Sequence, residues 1–187
     1  MPARRVVDAA MPTSPAIAHY VLRVSDKAAS VDWYAKVLGM RPVHENPGIA
    51  FMTHDDEHHR LALAQTPVGE APPGAPGLDH VAFTLRTLEE LLATYKRLKA
   101  EGILPVWPIN HGLTTSLYYA DPDENRVEFQ VENLGTKPEL QGYMRSDQFA
   151  ANPIGIEFDP EVLLARYENG DPLEELLLQG SAGSPKL

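Results

Sequence analysis

Two histidines and one glutamate in this chain share a setting that suits a metal ion. His19 is the third residue of Ile17-Ala-His-Tyr-Val-Leu-Arg-Val24, and His80 is the third residue of Leu78-Asp-His-Val-Ala-Phe-Thr-Leu85. Both segments read as alternating strands. In the first, His19, Val21 and Arg23 share a face, with Tyr20, Leu22 and Val24 opposite. In the second, His80, Ala82 and Thr84 share a face, with Val81, Phe83 and Leu85 opposite. In a third strand candidate, Glu128, Gln130 and Glu132 lie opposite Val127, Phe129 and Val131. Helices can cover the apolar faces, which leaves His19, His80 and Glu128 on the others. Two imidazoles and one carboxylate form the facial ligand set of non-haem iron(II) centres, which keep coordination positions open for reactants. A closed structural site has no such vacancies. The chain has no cysteine, so thiolate sites, disulfides and cysteine nucleophiles are excluded. Any metal must be held by His, Asp or Glu.

The elements that would position these residues come as a repeat. After the first strand, Val31, Tyr34, Ala35 and Leu38 give a helical apolar stripe, and Gly39 suits its stop. After the second, Thr87 with Glu90 makes a capping box. Leu88, Leu91, Leu92, Tyr95 and Leu98 form that helix's stripe, and Gly102 ends it. The offset from His19 to Tyr34 equals that from His80 to Tyr95. Three short strand candidates follow each helix, at 41–45, 49–53 and 60–65, then at 104–108, 115–120 and 126–131. Asp121-Pro-Asp-Glu-Asn125 is a turn cluster between the last two. The expected fold is α+β, with β-α-β-β-β written twice. Module one spans 16–66, a Pro/Gly-rich linker 67–77, and module two 78–132. If the modules join about a pseudo-twofold, their first strands lie side by side and the two histidines meet, with Glu128 completing the site.

Residues 1–15 hold three prolines and no periodicity, and read as a loose arm. Residues 133–187 form a C-terminal extension outside the repeat. Within it, Asp159-Pro160 and Asp171-Pro172 place an N-cap before a proline at the first helical position. Short helices are expected near 161–167 and 173–178, lying on the repeat or on a second subunit. With 26 acidic against 16 basic side chains, the net charge of −10 argues against a nucleic-acid partner. No apolar run approaches the ~20 residues of a membrane helix, and the start has no apolar core of a secretory signal. A single-domain, cytoplasmic protein and a homo-oligomer are expected.

The strand-histidine starts, the twin modules and the ending Tyr118-Tyr-Ala-Asp-Pro-Asp-Glu-Asn-Arg-Val-Glu128-Phe resemble the vicinal oxygen chelate superfamily. The resemblance runs from about Ala16 to Glu132. That superfamily includes glyoxalase I, methylmalonyl-CoA epimerase, fosfomycin- and bleomycin-resistance proteins, and type I extradiol ring-cleaving dioxygenases. It implies a U-shaped, partly open barrel around one metal site. Fold alone does not choose among these chemistries.

Three features resemble the extradiol dioxygenases. Glyoxalase-like members usually carry a fourth ligand on the last strand of copy one, where this chain has Arg60-Leu-Ala-Leu-Ala-Gln65, with Gln65 the sole weak candidate. Tyr118, ahead of an Asp-Pro turn and ten residues before Glu128, matches a family tyrosine. Two further active-site histidines are matched by His59, in His59-Arg-Leu-Ala-Leu63, and His111, in Asn110-His111-Gly112. His58 or His54 could take the role of His59; His44 and the acidic run Asp55-Asp56-Glu57 read as surface. The tail sequence Phe149–Pro160 resembles that of one-domain dihydroxybiphenyl-dioxygenase-like proteins. The larger enzymes carry a second, metal-free copy of the domain, which this chain lacks. The resemblance implies Fe(II), with Mn(II) as the alternative, held by His19, His80 and Glu128. The substrates it implies are a catechol-type aromatic diol and O₂. The rival readings are a glyoxalase- or epimerase-like enzyme and a non-enzymatic binding or resistance module.

Overall fold

The computed structural model describes residues 17–66 and 77–184. The expected arm 1–15 and nearly all of the linker lie outside the described residues. Two modules of the same order follow one another. The first runs β1 (Tyr20–Val24), α1 (Lys27–Leu38), β2 (Arg41–Asn46), β3 (Ile49–Thr53) and β4 (Leu61–Gln65). The second runs β5 (His80–Thr84), α2 (Leu88–Ala100), β6 (Trp107–Asn110), β7 (Thr114–Ala120) and β8 (Arg126–Glu132). Each forms its own sheet, in the orders β1-β4-β3-β2 and β5-β8-β7-β6. The fold is mixed α+β with two sheets that do not close into a barrel.

Local chemistry explains the helices. Asp26 caps α1 by accepting from the Ala28 and Ala29 amides. The buried face of α1 is Ser30, Trp33, Tyr34 and Val37, so the stripe is turned by about one position from that expected. Val31, Ala35 and Leu38 pack at its margin. Trp33, the largest apolar side chain of the helix, sets which face turns inward. In α2 the buried residues are Leu88, Leu91, Leu92, Tyr95 and Leu98, as expected. Thr87 accepts from the Glu90 amide. The Glu90 carboxylate, however, takes the Arg86 amide and guanidinium instead of closing the box on Thr87.

One core joins both modules and the tail, with Trp33 and Tyr34, Leu91 and Tyr95, and Phe158 and Leu163 in the same cluster. Polar contacts cross it. The Tyr34 hydroxyl donates to Asp121 at 3.1 Å. Arg97 of α2 donates to the Lys36 and Val37 carbonyls at the end of α1, which satisfies orphan acceptors of a helix C-terminus.

Other expectations are corrected by the strands and the tail. The strand expected at 104–108 is β6, Trp107–Asn110. Asn110 belongs to the strand because it pairs with Thr115 on one side and Ile156 on the other, and its buried side chain donates to the Leu177 carbonyl and accepts from the Gly112 amide and Asn133. In the tail Asp159 caps its helix as expected, but Asp171 does not: Pro172 stands at the N-cap of 173–176 with no side-chain cap bond, and Asp171 is taken by Arg166 and Asn169. The tail is also richer than expected. Besides α5 (Pro160–Glu168) and α6 (Leu173–Leu176) it forms α3 (Lys137–Tyr143), α4 (Asp147–Ala151) and β9 (Ile156–Glu157). Strand β9 adds antiparallel to β6 and gives the second sheet a fifth strand.

Candidate active site

The faces of the strands fall as the alternation requires. On β1, Leu22 and Val24 are buried while Val21 and Arg23 are exposed. On β8, Val127, Phe129 and Val131 are buried together with Glu128, which turns to the other face. Parallel pairing sets Val21 beside Ala62 and Ala82 beside Glu128.

His80 and Glu128 converge. His80 Nε2 lies 3.1 Å from Glu128 Oε2, and the Glu128 side chain is only 5 % exposed. On its other side His80 Nδ1 is 2.8 Å from Asp79 Oδ1. Arg126 holds the second oxygen of Asp79. The Asp79 carboxyl lies below its usual range, chiefly because His80 donates to it. With Nδ1–H given to Asp79, Nε2 faces a carboxylate oxygen. An Nε2–H of the doubly protonated ring bridges the two atoms as a hydrogen bond, and with that proton gone the same nitrogen and oxygen are a donor pair of the kind a divalent ion takes. Asp79 was not foreseen, although its place directly before His80 carried the signal.

Tyr118 stands beside this pair. It lies opposite Glu128 across β7–β8 and opposite Trp107 across β6–β7. Its ring is edge-on to His80 at 5.1 Å between centroids and tilted against Trp107 at 4.9 Å. Its hydroxyl is 3.2 Å from His111 Nε2. Burial first, then the Glu128 charge, raises the phenol well above its ordinary pKa, so it stays protonated. That one proton has two acceptors within reach, His111 and Glu128. Trp107 was also unforeseen; the hairpin register that pairs it with Tyr118 would have found it.

The histidines of module one form a separate cluster. The His59 ring is 4.3 Å from that of His19 and 4.9 Å from that of Phe51. His58 reaches His59 through their Nδ1 atoms at 2.6 Å, but 68 % of its own side chain is exposed. Burial, then the neighbouring His19 and His58, lowers the His59 pKa, which favours the neutral base. His54 points its ring at Phe83, 6.0 Å away, and His44 lies against Phe51.

The structure thus brings His80, Glu128, Tyr118 and His111 together, and His19 with His59. It does not bring His19 to His80. Strands β1 and β5 are the edges of their two sheets and share no strand pairing, although Tyr20, Leu22, His80 and Val81 line one small cavity between them. Among the described residues, no group of three His, Cys, Asp or Glu side chains is close enough to hold an ion. Gln65 is occupied elsewhere: it accepts from the Lys27 amide and donates to the Ser25 carbonyl. Asp55 accepts from Arg60 and the Glu57 amide, as a turn residue does.

The sequence and the fold have known counterparts. Residues 16–129 match the Glyoxalase/Bleomycin resistance protein/Dioxygenase superfamily. Biphenyl-2,3-diol 1,2-dioxygenase 2 of Rhodococcus globerulus is 44 % identical over 168 residues, covering 89 % of this chain and 88 % of that protein. Biphenyl-2,3-diol 1,2-dioxygenase 3 of the same organism is 44 % identical over 169 residues, covering 89 % of each. A crystal structure of a glyoxalase/bleomycin resistance protein/dioxygenase from Nocardioides is 26 % identical, with a TM-score of 0.56, over 68 % of this chain and 90 % of that one. The chain belongs to the glyoxalase/bleomycin resistance protein/dioxygenase superfamily.

Proposed function

We propose that this chain is an Fe(II)-dependent extradiol ring-cleaving dioxygenase acting on a catechol-type aromatic diol with O₂, with Mn(II) as the alternative ion. The dioxygenase class rests on the two Rhodococcus relatives and their coverage of nearly the whole chain. The observation that carries the site assignment is the facing of His80 Nε2 and Glu128 Oε2 with Tyr118 and His111 beside them.

In this reading His19, His80 and Glu128 hold the metal, and the side chains of His19 and His80 turn toward one another to do so. The bound ion would lower the pKa of a catechol hydroxyl and keep diol and O₂ within bonding reach. The chain's own residues do the rest. His59, kept neutral by its surroundings, accepts a proton from the diol and returns it later. Tyr118, its own proton held by His111 Nε2, turns its phenol oxygen to the diol hydroxyl nearest Glu128 and accepts from it. His111 accepts from Tyr118 and orients it. Phe51 and Trp107 supply apolar walls for an aromatic ring.

No helix among the described residues is long and apolar enough to cross a membrane. We place the protein in the cytoplasm and assign it as a homo-oligomer. Exposed Leu104 and Val106 ahead of β6, and Ile154 and Ile156 at β9, are side chains a second copy would cover. Analytical ultracentrifugation tests that assignment, and a monomer at micromolar concentration refutes it. The activity is tested by anaerobic Fe(II) loading, addition of a panel of catechols with O₂, and detection of coloured ring-fission products. A glyoxalase-like isomerase would instead turn over methylglyoxal–thiol adducts without oxygen. Against that rival stands Ala62, which occupies the module-one position equivalent to Glu128 and offers no ligand.

A further inference from the structure

His111 sits in a three-residue link between β6 and β7, and its own hairpin gives the imidazole one polar partner, the Tyr118 hydroxyl at Nε2. The tail supplies the partner of the other nitrogen. His111 Nδ1 is bonded to the Ile154 carbonyl, while its Nε2 lies 3.2 Å from the Tyr118 hydroxyl. A carbonyl can only accept, so the bond to Ile154 puts a proton on Nδ1, and in the neutral ring this leaves Nε2 as an acceptor. Tyr118 then donates to Nε2.

The tail segment is built to reach this place. Gly155, next after Ile154, has φ +115°, and a Cβ there would lie 2.3 Å from the Asn110 carbonyl oxygen and 2.8 Å from His111 Cα. No other residue allows so close an approach at that backbone angle. Asn152 closes the turn from both sides: its amide nitrogen donates to the Gly155 carbonyl and its oxygen accepts from the Gly155 amide, each at 2.9 Å. Beyond it, β9 pairs Ile156 with Asn110 and Glu157 with Ile109. The Glu157 carboxylate accepts from the Trp107 indole at 2.8 Å. From the other side Tyr143 of α3 rests on Gly112, where a Cβ would meet its hydroxyl at 2.0 Å.

We infer that the tail segment 152–157 is a positioning element that fixes the Nδ1–H tautomer of His111 and so aims the Tyr118 hydroxyl proton at His111 Nε2. Its use in turnover rests on the dioxygenase reading; the tautomer itself does not. Asn152 and Gly155 act through His111 and touch no reacting atom.

The test is a long-range ¹H–¹⁵N imidazole spectrum of the metal-free full-length chain, with the His111 signals assigned by their loss in His111→Gln. The expected result is a protonated Nδ1 and an unprotonated Nε2 in the wild type. In Gly155→Ala and Asn152→Ala the His111 signals should move to an averaged pair of tautomers. The other histidines should keep their wild-type signals, which shows that the fold survives. Asn152→Ala changes no backbone angle directly and covers the case in which Gly155→Ala fails to fold. An Nε2–H tautomer in the wild type, or an unchanged His111 in folded Asn152→Ala, overturns the inference. Oxygen uptake by the iron-loaded variants reads the other claim separately. A fall in kcat by up to about 10²-fold at unchanged iron content is expected for such a misplacement. Averaged tautomers with wild-type kcat would overturn the part assigned to His111 in turnover while the tail's hold on it stands.

Discussion

Ala62 and Glu128 occupy the same place in the two modules. Val21 pairs with Ala62 and Ala82 pairs with Glu128, and Val21 and Ala82 each lie two residues after the histidine of their module. One module therefore ends in a methyl group where the other ends in a carboxylate. The repeat duplicates the scaffold but not this carboxylate.

The metal prediction follows from that asymmetry. One divalent ion per chain should bind through His19, His80 and Glu128. Alanine at any of the three should abolish stoichiometric iron by elemental analysis, with circular dichroism unchanged. One tightly held ion in both His19→Ala and His80→Ala would refute the ligand set.

His59 and Tyr118 are predicted to act without holding the ion. His59→Ala and Tyr118→Phe should retain iron and lose about 10²–10⁴-fold in kcat, the range typical of an acid–base group. His58→Ala should stay close to wild type, because most of its side chain faces solvent. Unchanged turnover in His59→Ala together with loss in His58→Ala would move the role by one residue.

Much of this was legible in the sequence because the repeat is periodic and its turns are chemically marked. The strand faces of β1, β5 and β8 followed from alternation, and α2 followed from its leucine spacing. What the sequence hid was whatever depends on long-range docking. Trp33, unassigned by the stripe, turns α1, and Tyr34 reaches Asp121 in the other module. Strand β9 is two residues long and exists because β6 has a free edge. The partners of His111 come from Ile154, remote in sequence. The separation of His19 from His80 is likewise a matter of how two sheet edges meet, which no local pattern encodes.

Tyr34 and Asp121 tie the modules together, and both are buried. The Asp121 carboxylate also accepts from the Asp123 and Asn125 amides and the Asn125 side chain. Tyr34→Phe should cost about 1.5–3 kcal/mol, the range for a hydrogen bond to a charged group. Urea unfolding measures it, and a loss within error of zero would show that the bond does not hold the modules.

A pH dependence follows from the same pair. Burial raises the Asp121 carboxyl above its ordinary value despite the donors around it. The folded chain thus takes up this proton at a higher pH than the unfolded chain. The group's contribution to stability falls as pH rises through that window and is restored as pH falls toward the ordinary aspartate value. Asp121→Asn lacks this titration. The stability of wild type relative to Asp121→Asn should therefore increase as pH is lowered from neutral toward 3.8, the unshifted value. A difference that is flat or shrinks over that range would contradict the buried-carboxyl account.

The most direct test of the central claim is oxygen stoichiometry. The Fe(II)-loaded chain is mixed anaerobically with a catechol, and oxygen is then admitted while uptake and product are followed together. The account predicts that the diol binds before oxygen is present. It also predicts one O₂ consumed per ring opened, with cleavage beside the diol and not between its hydroxyls. No oxygen uptake with any catechol, together with isomerisation of a methylglyoxal–thiol adduct by the same iron-loaded protein, would contradict it.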